Sequence, residues 1–259
     1  MISYRVDIVI PARNEQDLLP RALTSVRRST AAASEYLRRP TAAGRTPSCV
    51  SGLVFAAGVL DARVTVVADR CTDDTVLIAR RLADRVLLVD AESVGDARDR
   101  GCGAPWGRAV DDHIGRPRAG QRKSNAMLLT TDADSTVPAH WVLEHLAHRV
   151  DGADAIAGTV AVEDWGGRDG ALPERYCREY ARSTDHVHGA NLGISQGAYA
   201  QLDGFRSLQV GEDQDLIDRA RALGLRVDTC HAAAVATSAR RTARAPDGFS
   251  DYLDALELT

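Results

Sequence analysis

The chain has 259 residues, 44% hydrophobic and 26% charged, which is a globular balance and enough length for one large core or two small ones. Lys plus Arg number 32 against 36 Asp plus Glu, and the net charge of -4 argues against nucleic-acid binding by bulk electrostatics, while no stretch has the look of a polybasic membrane anchor. Five cysteines, at 49, 71, 102, 177 and 230, are odd in number and form no Cys-x-x-Cys pair, which favours neither a zinc site nor a disulfide framework and fits a reducing compartment.

Met1 leads directly into the strand-like Val6-Asp7-Ile8-Val9-Ile10 with no charged leader or small-residue cleavage site, and the longest apolar run is far short of the roughly 18 residues of a membrane span. These features predict a cytoplasmic protein without a transmembrane segment. Val6 to Ile10 is β-branched and apolar, as in a strand covered on both faces, and Pro11 is expected to end it. A polar loop, Ala12-Arg13-Asn14-Glu15, precedes a helix over Asp17 to Arg28 with Leu18, Leu19, Ala22, Leu23 and Val26 at helical spacing. Residues 29 to 60 read as an insertion containing some helix, with Leu53 to Leu60 as a candidate helix end.

Val64 to Ala68 is the second strand, and Asp69-Arg70-Cys71-Thr72-Asp73-Asp74-Thr75 follows it, with Thr72 or Asp73 as N-cap of a helix from about Val76 to Ala83. Arg85 to Val89 is a short third strand, and Gly95 to Gly101 opens another helix. Residues 103 to 124, rich in Gly, Pro, Arg and Asp, read as a long loop that orders over a ligand, together with part of 240 to 259. A fourth apolar run, Leu128-Leu129-Thr130-Thr131, ends in Asp132-Ala133-Asp134-Ser135 before a helix over Pro138 to Val150. Strands alternating with helices imply a mainly parallel α/β sheet, whose ligands collect at the carboxyl ends of the strands. Three polar clusters fall at such ends: Arg13-Asn14-Glu15, Asp69 to Thr75, and Asp132 to Asp134.

In an extended chain Asp132 and Asp134 point the same way, so two carboxylates can converge on one hard cation, Mg²⁺ or Mn²⁺, carrying a diphosphate. An acidic turn after a strand is the other reading of the same residues. Downstream, Ala155 to Val162 is a further strand and Leu172 to Arg182 a helix, while Glu212 and Asp213 stand at the start of a helix that Gly224 ends.

The ordered set Val9-Ile10-Pro11-Ala12-Arg13-Asn14-Glu15, the Asp69 loop, Gly95-x-Ala97-Arg98 and Asp132-x-Asp134 resembles the family 2 glycosyltransferases of the GT-A fold. His188-Gly189-Ala190-Asn191-Leu192-Gly193-Ile194, Gly204-Phe205 and Gly211-Glu212-Asp213-Gln214-Asp215 continue the resemblance, which covers nearly all of residues 5 to 240. It implies a Rossmann-like, mixed, mainly parallel sheet with helices on both faces. It further implies one domain over 1–240, with a nucleotide-binding half at 1–135 and an acceptor-binding half at 136–240, and a C-terminal arm at 241–259.

The resemblance implies an inverting hexosyltransferase-type enzyme that moves a sugar from a nucleotide-diphosphate sugar, a UDP sugar in the first instance, to a small-molecule or lipid-linked acceptor. In it Pro11, Ala12, Arg13, Asn14, Glu15 and Asp69 hold the nucleoside, Arg98 sits near base or phosphate, Asp134 binds the metal, and Asp132 with Ala133 meets ribose or metal. Asp213 is the expected base and Glu212 a ligand to hydroxyls. The Asp69 loop departs from the commoner Asp-Asp-Gly-Ser pattern, and the Gln-x-x-Arg-Trp signature of processive polymerases is absent. The tail from Ser238, with Arg240, Arg241 and Arg244, either closes over diphosphate or an acidic acceptor or forms a solvated arm, and His231 reads as a metal ligand or an ordinary imidazole. A sugar nucleotidyltransferase and a non-catalytic nucleotide-sugar binding protein are the alternatives; the first normally carries a Gly-rich loop that 11–15 lacks, and the second has no need of Asp213.

Overall fold

The computed structural model describes residues 2–39, 55–106, 125–182, 186–240 and 249–258. In chain order the elements are β1 (Ile2–Ala12), α1 (Leu19–Arg38), β2 (Gly58–Asp69), α2 (Thr75–Leu82), β3 (Arg85–Val89), α3 (Val94–Trp106), β4 (Ala126–Thr130) and α4 (Trp141–Val150). There follow β5 (Ala155–Asp164), α5 (Leu172–Arg182), a 3₁₀ turn at Gly189–Asn191, β6 (Leu192–Ser195), α6 (Gln196–Gln201), α7 (Glu212–Ala222), β7 (Val227–Ser238) and α8 (Phe249–Glu257).

The seven strands form one sheet in the order β3-β2-β1-β4-β6-β5-β7. β6 runs antiparallel to both its neighbours, β4 and β5, and the other pairings are parallel. The two-residue period of a strand sends alternate side chains to two cores. Val6, Ile8, Ile10, Met127 and Leu129 meet α1 and α4 through Leu23, Val26, Trp141 and Leu146 on one face. Val9, Val67, Leu128 and Leu192 meet α3, α6 and α7 through Ala97, Tyr199, Leu216 and Ile217 on the other. The α/β architecture is therefore the one expected, a mixed and mostly parallel sheet covered on both faces.

Several boundaries differ from the sequence expectation. α1 continues ten residues past Arg28 to Arg38, because the hydroxyls that suggested a loop are satisfied within the fold. Thr30 Oγ1 donates to the Arg27 carbonyl, and Ser29 Oγ accepts from Val142 N–H at 3.0 Å, which docks α1 onto α4. The candidate helix end at Leu53 to Leu60 is overturned at its C-terminal part: Gly58 pairs with Ile2 and opens β2. Pro11 does not stop β1, whose last two residues pair with Val67 and Ala68 beyond the final β4 partner, Val9↔Thr130. The loop expected at 103–124 begins with the last turn of α3, and 107–124 lies outside the described residues, as do 40–54 and 241–248. Part of the expected C-terminal arm is the helix α8, which packs Leu253 and Phe249 against Leu172 and Tyr176 of α5.

α2 starts at Thr75 with Asp74 at the cap position and without a side-chain cap bond; Asp73 instead accepts from Thr75 N–H at 3.0 Å. α7 ends as expected at Gly224 (φ 70°), where Leu225 N–H returns to the Ala220 carbonyl and Gly224 N–H to that of Arg221. Among the described residues, no helix is long and apolar enough to cross a membrane.

Candidate active site

The carboxyl ends of β1, β2 and β4 line an open cavity of about 560 Å³, bordered as well by the N-termini of α3 and α7, the 189–191 turn, the end of β7 and α8. Parallel strands place these ends side by side, so residues far apart in sequence share one wall.

At one end of the cavity lie Pro11, Ala12, Arg13, Glu15 and Asp69. Asp69 is positioned by its own surroundings: Oδ1 accepts from Ala91 N–H at 2.9 Å and from Arg70 Nε at 3.1 Å, and Arg13 Nη1 stands 3.9 Å from Oδ2. Asn14 is not among the cavity-lining residues. It adopts a left-handed conformation (φ 54°), and its Oδ1 accepts from Thr72 N–H at 2.8 Å, tying the β1 loop to the β2 loop. Glu15 N–H donates to Thr75 Oγ1 at 2.7 Å and completes that brace.

Asp132, Ala133 and Asp134 all line the cavity, but not through strand alternation. β4 ends at Thr130, and the turn that follows, closed by Ser135 N–H on the Asp132 carbonyl at 3.2 Å, places both carboxylates on the cavity wall. Arg98, buried on α3, donates through Nη2 to Asp132 Oδ1 at 2.6 Å and through Nη1 to Glu212 Oε1. Its guanidinium is thus committed to two carboxylates, one from β4's turn and one from α7. Burial works against that charge, yet Asp132, Glu212 and Asp213 together hold Arg98 firmly protonated. Glu212 is pushed up by burial, with Arg98 opposing and Asp213 reinforcing.

Arg240, just past β7, donates through Nη1 to Glu15 Oε1 and Oε2 at 2.7 and 2.8 Å, and its Nη2 lies 3.1 Å from Asp134 Oδ2. Burial drives the Asp134 carboxyl up to about 6, against the pull of Arg240 and with the help of Asp132 and Glu15. Five carboxylates (Glu15, Asp132, Asp134, Glu212, Asp213) thus surround two guanidiniums, Arg98 and Arg240. A surplus of negative charge on hard oxygen donors, with Asp132 the most open of them at 34% side-chain exposure among those in ion pairs, suits a divalent cation such as Mg²⁺ or Mn²⁺.

Asp213 stands in the first turn of α7, with Oδ2 accepting from Gly189 N–H at 2.7 Å and Oδ1 from Gln214 N–H at 2.8 Å. Gly189 itself lies against Arg98: a Cβ there would run into Cζ and both terminal nitrogens of the guanidinium. The turn carrying Gly189 is anchored by buried Asn191. Its Oδ1 accepts from Trp141 Nε1 at 2.8 Å and contacts His145 Nε2 at 3.0 Å, while Nδ2 donates to the carbonyls of Thr159 and Ala233. Burial lowers His145 to about 4, so its imidazole is neutral. His188 also lines the cavity, is held neutral chiefly by burial, and meets Tyr180 Oη at 3.1 Å.

No local signal in the sequence marks Arg70 or His188 individually, and none decides that Arg240 faces the cavity rather than solvent. His231 is exposed and does not line the cavity.

The architecture is the α/β fold known as GT-A. Solved structures that share the fold include S. aureus TarS in complex with UDP-GlcNAc, at a TM-score of 0.56 and 14% identity over 95% of this chain and 61% of that one. Glucosyl-3-phosphoglycerate synthase from Mycobacterium tuberculosis, in complex with Mn²⁺, UDP and phosphoglyceric acid, gives 0.54 and 17% over 98% of this chain and 75% of that one. The mannosyltransferase PcManGT from Pyrobaculum calidifontis, in complex with GDP-Man and Mn²⁺, gives 0.55 and 18% over 100% of this chain and 63% of that one. The chain thus spans about three fifths of the TarS chain's length. No family model and no curated protein matches the sequence.

Proposed function

We propose that this chain is a metal-assisted, inverting glycosyltransferase that transfers a sugar from a nucleoside diphosphate sugar, a UDP sugar in the first instance, to the hydroxyl of a small-molecule or lipid-linked acceptor in the cytoplasm. The observation that carries this reading is the bridge Asp132–Arg98–Glu212, which fixes the acidic turn after β4 against the acid-bearing N-terminus of α7 across one cavity. Donor and acceptor chemistry need that juxtaposition, since a nucleophile must be activated opposite a departing diphosphate.

In this reading the β1 loop and Asp69 hold the nucleoside. Asp69, pre-oriented by Ala91 N–H and Arg70, is an acceptor for a base N–H or a ribose hydroxyl. Asp134 and Asp132 would hold the cation, and Mg²⁺ or Mn²⁺ supplies charge stabilisation to the leaving diphosphate. Asp213, steered by two backbone N–H groups, takes the proton from the acceptor hydroxyl as that oxygen bonds to the anomeric carbon. The bond to diphosphate breaks on the opposite side, which inverts the anomeric centre. Glu212, committed to Arg98, serves to place Asp213 and Asp132 and retains its cavity-facing position for a sugar hydroxyl.

The test is calorimetry with UDP, GDP and dTDP in the presence of Mn²⁺, followed by NMR of the product formed from the matching sugar nucleotide. Binding of one nucleotide should fall sharply with EDTA and with Asp134→Ala, and the product should be inverted. A retained anomeric configuration would overturn the in-line mechanism, and affinity indifferent to both metal and Asp134 would overturn the metal assignment.

A further inference from the structure

We propose that Glu144, His148 and Cys230 form a second metal site, separate from the strand-end cavity, that takes a borderline-soft divalent cation, Zn²⁺ in the first instance, and pins α4 to β7. Glu144 and His148 are four residues apart on α4 and therefore share one helix face. Cys230 comes from β7, and one ligand atom from each residue falls within 4.8 Å of the other two, all three residues being buried. A tetrahedral ion with bonds of about 2.0–2.3 Å holds its ligands about 3.5 Å apart, so the cluster is within reach of one ion by small side-chain adjustment. None of the three lines the cavity.

The surroundings fit a metal ligand set. His148 Nδ1 lies 3.0 Å from Asp228 Oδ2, and that carboxylate already has its cation, since Arg226 contacts Oδ1 at 2.9 Å and Oδ2 at 3.0 Å. With Nδ1–H donating to that carboxylate, Nε2 is the nitrogen that takes the metal, the carboxylate–histidine–metal arrangement that fixes tautomer and ring orientation. A sulfur, a nitrogen and an oxygen donor together select zinc over the hard cations suited to the acidic turn at Asp132 and Asp134. Charge closes as well: Zn²⁺ with the Glu144 carboxylate and the Cys230 thiolate is neutral overall, which suits a buried position, and the thiol proton leaves to solvent on binding. Three protein donors are one short of a closed structural shell, so a water takes the fourth position. No cysteine-pair motif marks this site in the sequence, because its ligands lie on elements distant along the chain.

The experiment uses the full chain under reducing conditions, stripped with chelator and then loaded with Zn²⁺ or Co²⁺. About one equivalent of zinc should bind, and cobalt should give a thiolate-to-metal absorption band in the near ultraviolet, which an all-oxygen site cannot produce. Both signals should persist in Asp132→Asn/Asp134→Asn and vanish in Cys230→Ala; His148→Gln, with the thiol intact, should weaken binding at least about tenfold. Free zinc at 100-fold over Kd should raise the wild-type melting midpoint by about 5–10 °C. Absence of the cobalt–thiolate band in the folded wild-type protein overturns the site. So does a band that survives Cys230→Ala, since another cysteine would then be the ligand.

Discussion

The guanidinium of Arg240 lies 3.1 Å from the carboxylate of Asp134, across a chain separation that links the last strand to the turn after β4. Even with that cation beside it, burial and the neighbouring Asp132 and Glu15 carboxylates hold the Asp134 carboxyl at about 6, above its ordinary 3.8. The folded protein therefore holds this proton more tightly than the unfolded chain does. The stability it contributes is fully present below about pH 4 and is lost as pH rises through about 6. In chelator, Asp134→Asn should be more stable than wild type by about 1–3 kcal/mol near neutral pH, with the gap closing under acid. Adding Mn²⁺ should stabilise wild type and leave the variant unchanged. Melting curves across pH, with and without metal, check both statements.

Asp213 is the group with the geometry of a base, oriented by Gly189 N–H and Gln214 N–H. Asp213→Asn keeps the size of the side chain but cannot accept a proton, so kcat should fall by about 10²- to 10⁴-fold with nucleotide affinity nearly intact. Single-turnover kinetics beside UDP calorimetry separates the two. Near-wild-type turnover in Asp213→Asn together with its loss in Glu212→Gln would reverse the two roles.

Gly189→Ala should damage both stability and turnover. The added methyl meets Arg98, whose guanidinium cannot move away while Asp132 and Glu212 hold it. Overpacking of this kind costs about 1–3 kcal/mol. Urea denaturation measures that cost, and a fall in kcat larger than the loss of folded fraction would show that the Gly189–Asp213 contact had shifted.

Asn191→Ala removes one side chain that satisfies Trp141 Nε1 and two buried carbonyls. Leaving such groups without partners should destabilise the protein by about 2–4 kcal/mol, and the loosened 189–191 turn should lower kcat as well. Hydrogen exchange at the amide of Gly189 is the local readout: it should speed up in the variant, and unchanged protection would show that the turn is held by other contacts.

The strand-end walls of the cavity and its α7 wall were visible in the sequence for local reasons. β-branched runs such as Val6 to Ile10 and Val64 to Ala68 alternate against two cores, and polar residues at the ends of parallel strands have no choice but to face one edge of the sheet. Glu212 and Asp213 were legible because acids collect at a helix N-terminus and Gly224 marks its end. By contrast α1 was cut short at Arg28, since Ser29 and Thr30 look like loop formers until α4 and the preceding helical turn supply their partners.

Local composition and periodicity therefore determined the α/β class, both helix-covered faces, and the chain positions of the acids. What only the tertiary structure decided are the long-range pairings. β6 enters antiparallel between β4 and β5, and β7, too rich in alanine to announce itself as a strand, runs parallel beside β5. Those two strands carry the 189–191 turn to Asp213 and bring Arg240 to Glu15 and Asp134. No local signal encodes such contacts, because the energy that selects them comes from burying side chains and pairing charges brought together only when the whole sheet closes.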